Sequence, residues 1–178
     1  MNKLKYLLLM IVPALGGCAV SGQLGVKTYA FEQVSLPGTI PSGVTDEAGN
    51  PINTSKAGHS KKYYIYLSYA PGSIITPSAL WIQGQPYAFR TEAVTSTPVV
   101  HATPGRVQVE KSDILVPQTK DKVMRLLVLA PMDQPAGLSP AEKQMTLDSA
   151  VVVRYEWTGK AYYAGAASVK ALPPLMHQ

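Results

Sequence analysis

The stretch whose reading decides the fold is KKYYIYLSYAPG, residues 61–72. In an extended chain Tyr63, Ile65, Leu67 and Tyr69 fall on one side, and Tyr64, Tyr66 and Ser68 on the other. Aromatic and β-branched residues repeating with a period of two predict a strand with one face buried. So many tyrosines fit a pleated, half-buried surface, where the ring packs and the hydroxyl stays near water. The alternative use of the same rings is a stacking surface for sugars or bases.

The pattern extends in both directions. Upstream, VKTYAFEQV (26–34) alternates and predicts a first strand. Between them, residues 36–60 are rich in Pro, Gly, Ser, Asn and Asp, which predicts long loops. Downstream, ALWIQGQPYAFRTEAV (79–94) reads as a hairpin turning over Gln83-Gly84-Gln85-Pro86, with Trp81 as core anchor. Short extended pieces follow at 97–105 and 107–116, and KVMRLLVLAP (122–131) is apolar enough for a central strand. Residues 149–170 predict a second hairpin around Thr158-Gly159-Lys160, with Val151, Val153, Tyr155 and Trp157 sharing a face. One segment, LSPAEKQMTL (138–147), reads as helical: Ser139 is a candidate N-cap, Pro140 suits the first turn, and Glu142 completes a capping box. The tail, ALPPLMHQ, is too rich in proline for a central strand.

Seven to nine short strands, proline-rich connections and one helix near 140–146 predict an all-β fold. The expected architecture is an antiparallel β-sandwich of immunoglobulin-like type, with a small β-barrel as the alternative. The Cys…Trp…Cys pattern of true immunoglobulin domains is absent from the chain.

The N-terminus, MNKLKYLLLMIVPALGGCAV, has the order of parts of an export signal. Lys3 and Lys5 are a basic start, Tyr6 to Leu15 an apolar run, and Gly16 and Gly17 small residues at a cleavage point. The apolar run is shorter than the roughly 20 residues that span a bilayer. Leu15-Gly16-Gly17-Cys18 resembles the lipobox of bacterial lipoproteins. That resemblance implies cleavage between Gly17 and Cys18, a diacylglyceryl thioether on Cys18 and acylation of the freed amine. More than one acyl chain gives stable anchoring, since each buried CH₂ contributes about 0.8 kcal/mol. Ala19, where an Asp would imply retention at the inner membrane, implies the outer membrane. The lipobox, the Pro/Gly-rich entry and the Tyr-rich strands together resemble small lipoproteins of Gram-negative bacteria. The Trp81-Ile82-Gln83-Gly84-Gln85-Pro86-Tyr87 hairpin after the KYYIYLSY strand resembles hypothetical lipoproteins of the Bacteroidota.

The organisation expected from this is a signal peptide over 1–17, a lipidated tether over 18–26, a β-domain over 27–172 and a Pro-containing tail over 173–178. Removing Lys3 and Lys5 lowers the formal charge from +5 to +3. The remaining basic residues are scattered, with clusters only at Lys61-Lys62 and at Lys120 and Lys122, so nucleic acid is not an expected partner. With the single cysteine lipidated, disulfides, thiolate metal sites and a cysteine nucleophile are all excluded.

No catalytic signature stands out. His59, His101 and His177 lack a second ligand at metal-binding spacing. Thr45-Asp46-Glu47-Ala48-Gly49-Asn50 lacks the register of a calcium loop and reads as a turn. Glu92, Glu110, Asp113, Asp133, Asp148 and Glu156 are spread singly, so no pair is marked for glycosidase chemistry. The expectation is therefore a membrane-anchored protein that is not an enzyme and carries no cofactor or metal. Its β-domain would bind or scaffold an envelope protein or glycan. A subunit or assembly factor of a secretion or pilus machine is the alternative, and a small periplasmic hydrolase a further one.

Overall fold

The structure, a computed structural model, describes residues 25–36, 48, 60–102, 114–133 and 139–176. The fold is all-β with one short helix. Its strands are β1 (Lys27–Leu36), β2 (Ser60–Tyr69), β3 (Thr76–Ile82), β4 (Gln85–Val94), β5 (Val99–Val100), β6 (Ile114–Val116), β7 (Lys122–Pro131), β8 (Val151–Trp157), β9 (Lys160–Ala166), β10 (Lys170–Ala171) and β11 (Leu175–Met176). The seven to nine strands expected are exceeded by the two-residue strands β10 and β11, which form only by pairing with β1. The strands other than β5 and β6 form a large curled, mostly antiparallel sheet in the order β10-β1-β2-β7-β4-β3-β8-β9. The two-residue strands β10 and β11 both run parallel to β1 along its outer edge. KVMRLLVLAP is central as expected: β7 lies between β2 and β4.

Both hairpin turns are tighter than the sequence reading. Gln83 and Gly84 have φ of 52° and 77°, and Thr158 and Gly159 have φ of 49° and 74°. Positive φ at both central residues is the two-residue turn whose twist matches that of its flanking strands. Gln85, Pro86 and Lys160 therefore belong to strands and not to turns.

The sheet curls until its two ends approach, with β9 coming alongside β1. The concave side holds the main core: Ile65 and Leu67 from β2, Leu80 and Ile82 from β3, Leu126 from β7, and Val151, Val153 and Tyr155 from β8. The shared face expected along the first arm of the 149–170 hairpin is thus the core face of β8.

The expectation that β2 buries one face is corrected. Tyr64 and Tyr66, on its other side, are also buried. They pack with Phe31, Leu115, Val116, Val123 and Leu172 in a second cluster. The cover is the small β5–β6 ribbon together with the segment after β10. Neither could be anticipated from β2 itself, because both lie far away in the chain.

The helix α1 (Pro140–Asp148) joins β7 to β8 and starts as the sequence predicts. Glu142 N–H donates to Ser139 Oγ at 3.2 Å, and Ser139 N–H donates to Glu142 Oε2 at 2.8 Å. This reciprocal cap satisfies two of the donors that a helix start leaves open. The helix lies on the convex side of β8 and β9, where the Tyr163 hydroxyl donates to Glu142 Oε1.

Candidate functional site

A cleft of about 730 Å³ lies where β3 and β4 part. Next to their turn the two strands pair at Ile82↔Gln85 and Trp81↔Pro86. Beyond that point β3 stays with β8 and β4 stays with β7. A register shift interrupts β3 between Pro77 and Ala79, and another interrupts β4 between Tyr87 and Phe89. Such bulges bend a strand and increase its twist. One on each side of the gap carries the strands into different parts of the curl. The facing edges of Pro77–Leu80 and Tyr87–Phe89 therefore have no strand neighbour among the described residues.

Leu80, Tyr87 and Phe89 line the cleft and also pack into the main core. Ser78, Arg90 and Asp133 are exposed at its margin. The closed end is tied by Met132 N–H donating to Pro86 O at 2.8 Å and Gln85 Nε2 donating to Met132 O at 2.6 Å. Trp81 is buried, as expected of an anchor, but its side chain lies outside the main core. Trp81 lines the cleft, and its buried indole N–H has no hydrogen-bond partner. A buried donor left unpaired costs about 1–3 kcal/mol, a cost shared by the buried Thr28 Oγ1, Arg154 Nε and Tyr155 hydroxyl, which also have no partner.

Away from the cleft, several tyrosines and one carboxylate have their ionisation shifted away from neutrality. Burial, followed by the neighbouring Tyr87, pushes the Tyr63 phenol up to about 12. Burial likewise raises Tyr64, Tyr66, Tyr69 and Tyr155. Glu142 is held at about 2, first by the Tyr163 hydroxyl and then by the Ser139 backbone. These groups keep one protonation state through the neutral range. A general acid or base instead needs a value near the working pH.

Of the three histidines, His101 alone is among the described residues. It sits beside a buried Gln33, whose Nε2 lies 2.9 Å from His101 Nε2. The same amide nitrogen donates to Pro173 O at 2.9 Å, while Gln33 Oε1 accepts from the Tyr64 hydroxyl at 2.9 Å. The amide is fully used, and donation to His101 requires a neutral imidazole with its proton on Nδ1. The arrangement ties β1, β2, the end of β5 and the tail together.

Glu92 pairs with Arg125 at 3.6 Å, and Asp148 accepts from Gln144 Nε2 at 2.8 Å. Asp133 stands at the cleft margin and Glu156 is exposed. Among the described residues no group of three His, Cys, Asp or Glu side chains could hold a metal ion. Gly17, Cys18, Asp46, Glu47, His59, Glu110, Asp113 and His177 lie outside the described residues.

The cleft was missed by sequence reasoning. Its signals were Pro77 and Pro86, placed in strands that otherwise pair, but a proline does not reveal which neighbour its strand will leave. Comparison with protein-family models, with curated proteins and with solved structures finds no match.

Proposed function

We propose that this is a lipid-anchored envelope protein whose β-domain is a non-catalytic binding module. In this reading, the cleft between β3 and β4 holds an extended segment of another envelope protein. The observation that carries the reading is the parting of the two strands. It presents two sheet edges across an apolar floor, and an added strand is the ligand form that answers free edges. The resemblance of Leu15-Gly16-Gly17-Cys18 to a lipobox supports the anchor.

Two measurements test the halves separately. Cys18→Ser should abolish palmitate labelling and accumulate the uncleaved form; labelling that persists overturns the anchor. For the cleft, a photo-cross-linking side chain replaces Ala88, which lines it, or Ala161, exposed on β9. In intact cells Ala88 should give adducts mapping to one segment of one envelope protein, with none from Ala161. Equal adducts at both positions, or none at Ala88, overturn the binding site.

A further inference from the structure

The strand registers place several lysines at one end of the curled sheet. Lys27 opens β1 opposite Ser68, near the close of β2, and Lys122 opens β7 opposite Tyr69. Lys160 opens β9 opposite Trp157, and Thr76 opens β3 opposite Glu156. Lys120 lies in the loop just before β7, which is tied to the segment after β4 by Thr119 N–H donating to Thr97 Oγ1 at 3.1 Å. Between β2 and β3, Ser73 N–H closes a turn on Ala70 O at 3.0 Å. Residues 72–74 border the same hollow as Glu156, Trp157, Thr158 and Gly159. Just after the turn Ile74 is 79% exposed, the most exposed large apolar side chain described.

The four lysines are exposed, and among the described residues none of them forms an ion pair. Among the described residues the carboxylates at this end are Asp121, which accepts from Ser68 Oγ at 2.9 Å, and Glu156. Those four positive charges against two negative give +2. An exposed apolar side chain at an end that carries several ammonium groups suits an interface in which hydrocarbon lies beneath anionic headgroups.

The chain also enters here. Residue 25 precedes β1 at this end, and seven residue steps separate it from Cys18. Fully extended, those steps reach at most about 25 Å. A lipid on Cys18 would therefore hold this end within about 25 Å of the bilayer. The far end, with exposed Leu129 and Met132, is about 30 Å further away, at a rise of about 3.3 Å per residue along β1.

We infer that this end of the sheet docks on an anionic phospholipid surface, with Lys27, Lys120, Lys122 and Lys160 on the headgroups and Ile74 inserted between them. The anchor reading supplies the nearness of the bilayer; the surface itself rests on the exposed groups. Each lysine at such a surface is expected to strengthen docking about fivefold. Salt weakens the attraction, because exposed charges are screened beyond about 8 Å at physiological ionic strength.

The test uses the mature, full-length protein in phosphatidylethanolamine–phosphatidylglycerol vesicles. A polarity-sensitive dye is carried on Ile74→Cys or, at the far end, on Leu129→Cys. Lipid-borne quenchers should quench the dye at 74 and leave the one at 129 bright. Quenching at 74 should fall with added salt, in phosphatidylcholine vesicles, and when the four lysines are replaced by glutamine. Mass analysis of the same sample shows whether Cys18 is acylated. An acylated, vesicle-bound protein with no quenching at 74, or with equal quenching at both positions, overturns the docking surface and leaves the anchor standing. In a Cys18→Ser protein, where residue 74 carries the one thiol, quenching at 74 that depends on phosphatidylglycerol supports the docking surface independently of the anchor.

Discussion

The two faces of β2 are both buried, by different chemistry. On the concave side Ile65 and Leu67 have no exposed surface and meet Leu126, Val153 and Tyr155 in a core of side chains that interlock without polar bridges. On the convex side Tyr64 and Tyr66 lie under the β5–β6 ribbon. There the polar atoms are matched one by one: Tyr64 to Gln33, Gln33 to His101 and to Pro173 O, and Ser68 to Asp121. The concave side is held by excluded water and dense packing, which tolerate no lost volume. The convex side is held by hydrogen bonds whose net value is small but whose loss leaves buried groups stranded. One strand can serve both because its residues alternate between aliphatic side chains and aromatics with polar tips.

Removing volume should produce the largest effects. Trp81→Ala should cost about 3–5 kcal/mol and Leu67→Ala about 2–5 kcal/mol, read from urea unfolding. A cost below about 1 kcal/mol at Leu67 would mean that the concave side is not the principal core. On the convex side, Gln33→Ala strands the Tyr64 hydroxyl, the His101 ring nitrogen and Pro173 O, and should cost about 1–3 kcal/mol. If it matched Leu67→Ala, the contrast between the faces would fail.

A local effect of pH follows from the contact between α1 and β9. The Glu142 carboxyl stands at about 2 in the fold, against an ordinary 4.5. A lowered value means the contribution is present above 4.5 and fades as the pH falls towards 2. Tyr163 is raised from 10.0 to about 12, by burial first and then by Glu142. Its contribution is present below 10.0 and fades as the pH rises towards 12. Amide protection in α1, corrected for the intrinsic pH dependence of exchange, should fall at about pH 3 relative to neutrality while protection in β2 does not. An equal fall in both would show that the helix is not separately latched. The smallest effect belongs to the exposed edge. Glu32→Gln removes the 3.3 Å pair with Lys61 and should change stability by less than about 0.5 kcal/mol, measured by the same unfolding.

Much of the fold was legible because its signals are local. The period of two in 61–69, the apolar run of β7, the Gly84 and Gly159 turns and the Ser139–Glu142 cap each depend on neighbours a few residues away. What covers the second face of β2 was not legible. Tyr64 and Tyr66 read equally well as solvent-facing rings, and the ribbon that buries them is built from Val99–Val100 and Ile114–Val116. The cleft was hidden for a related reason. The hairpin signal at Gln83-Gly84 predicts that β3 and β4 pair, and a turn does not determine how far the pairing runs.

The sequence by itself therefore determined the strands, their turns, the capped helix and the side-chain alternation, because backbone preference and period-two patterning act over a few residues. It also carries Leu15-Gly16-Gly17-Cys18, whose resemblance to a lipobox is read along the chain alone. Tertiary structure alone decided that β2 is buried twice, that β3 and β4 part, and that four separated lysines and Ile74 share one end. Those outcomes depend on which distant strands pair and how the sheet curls, and the energy that selects them comes from contacts between segments far apart in the chain.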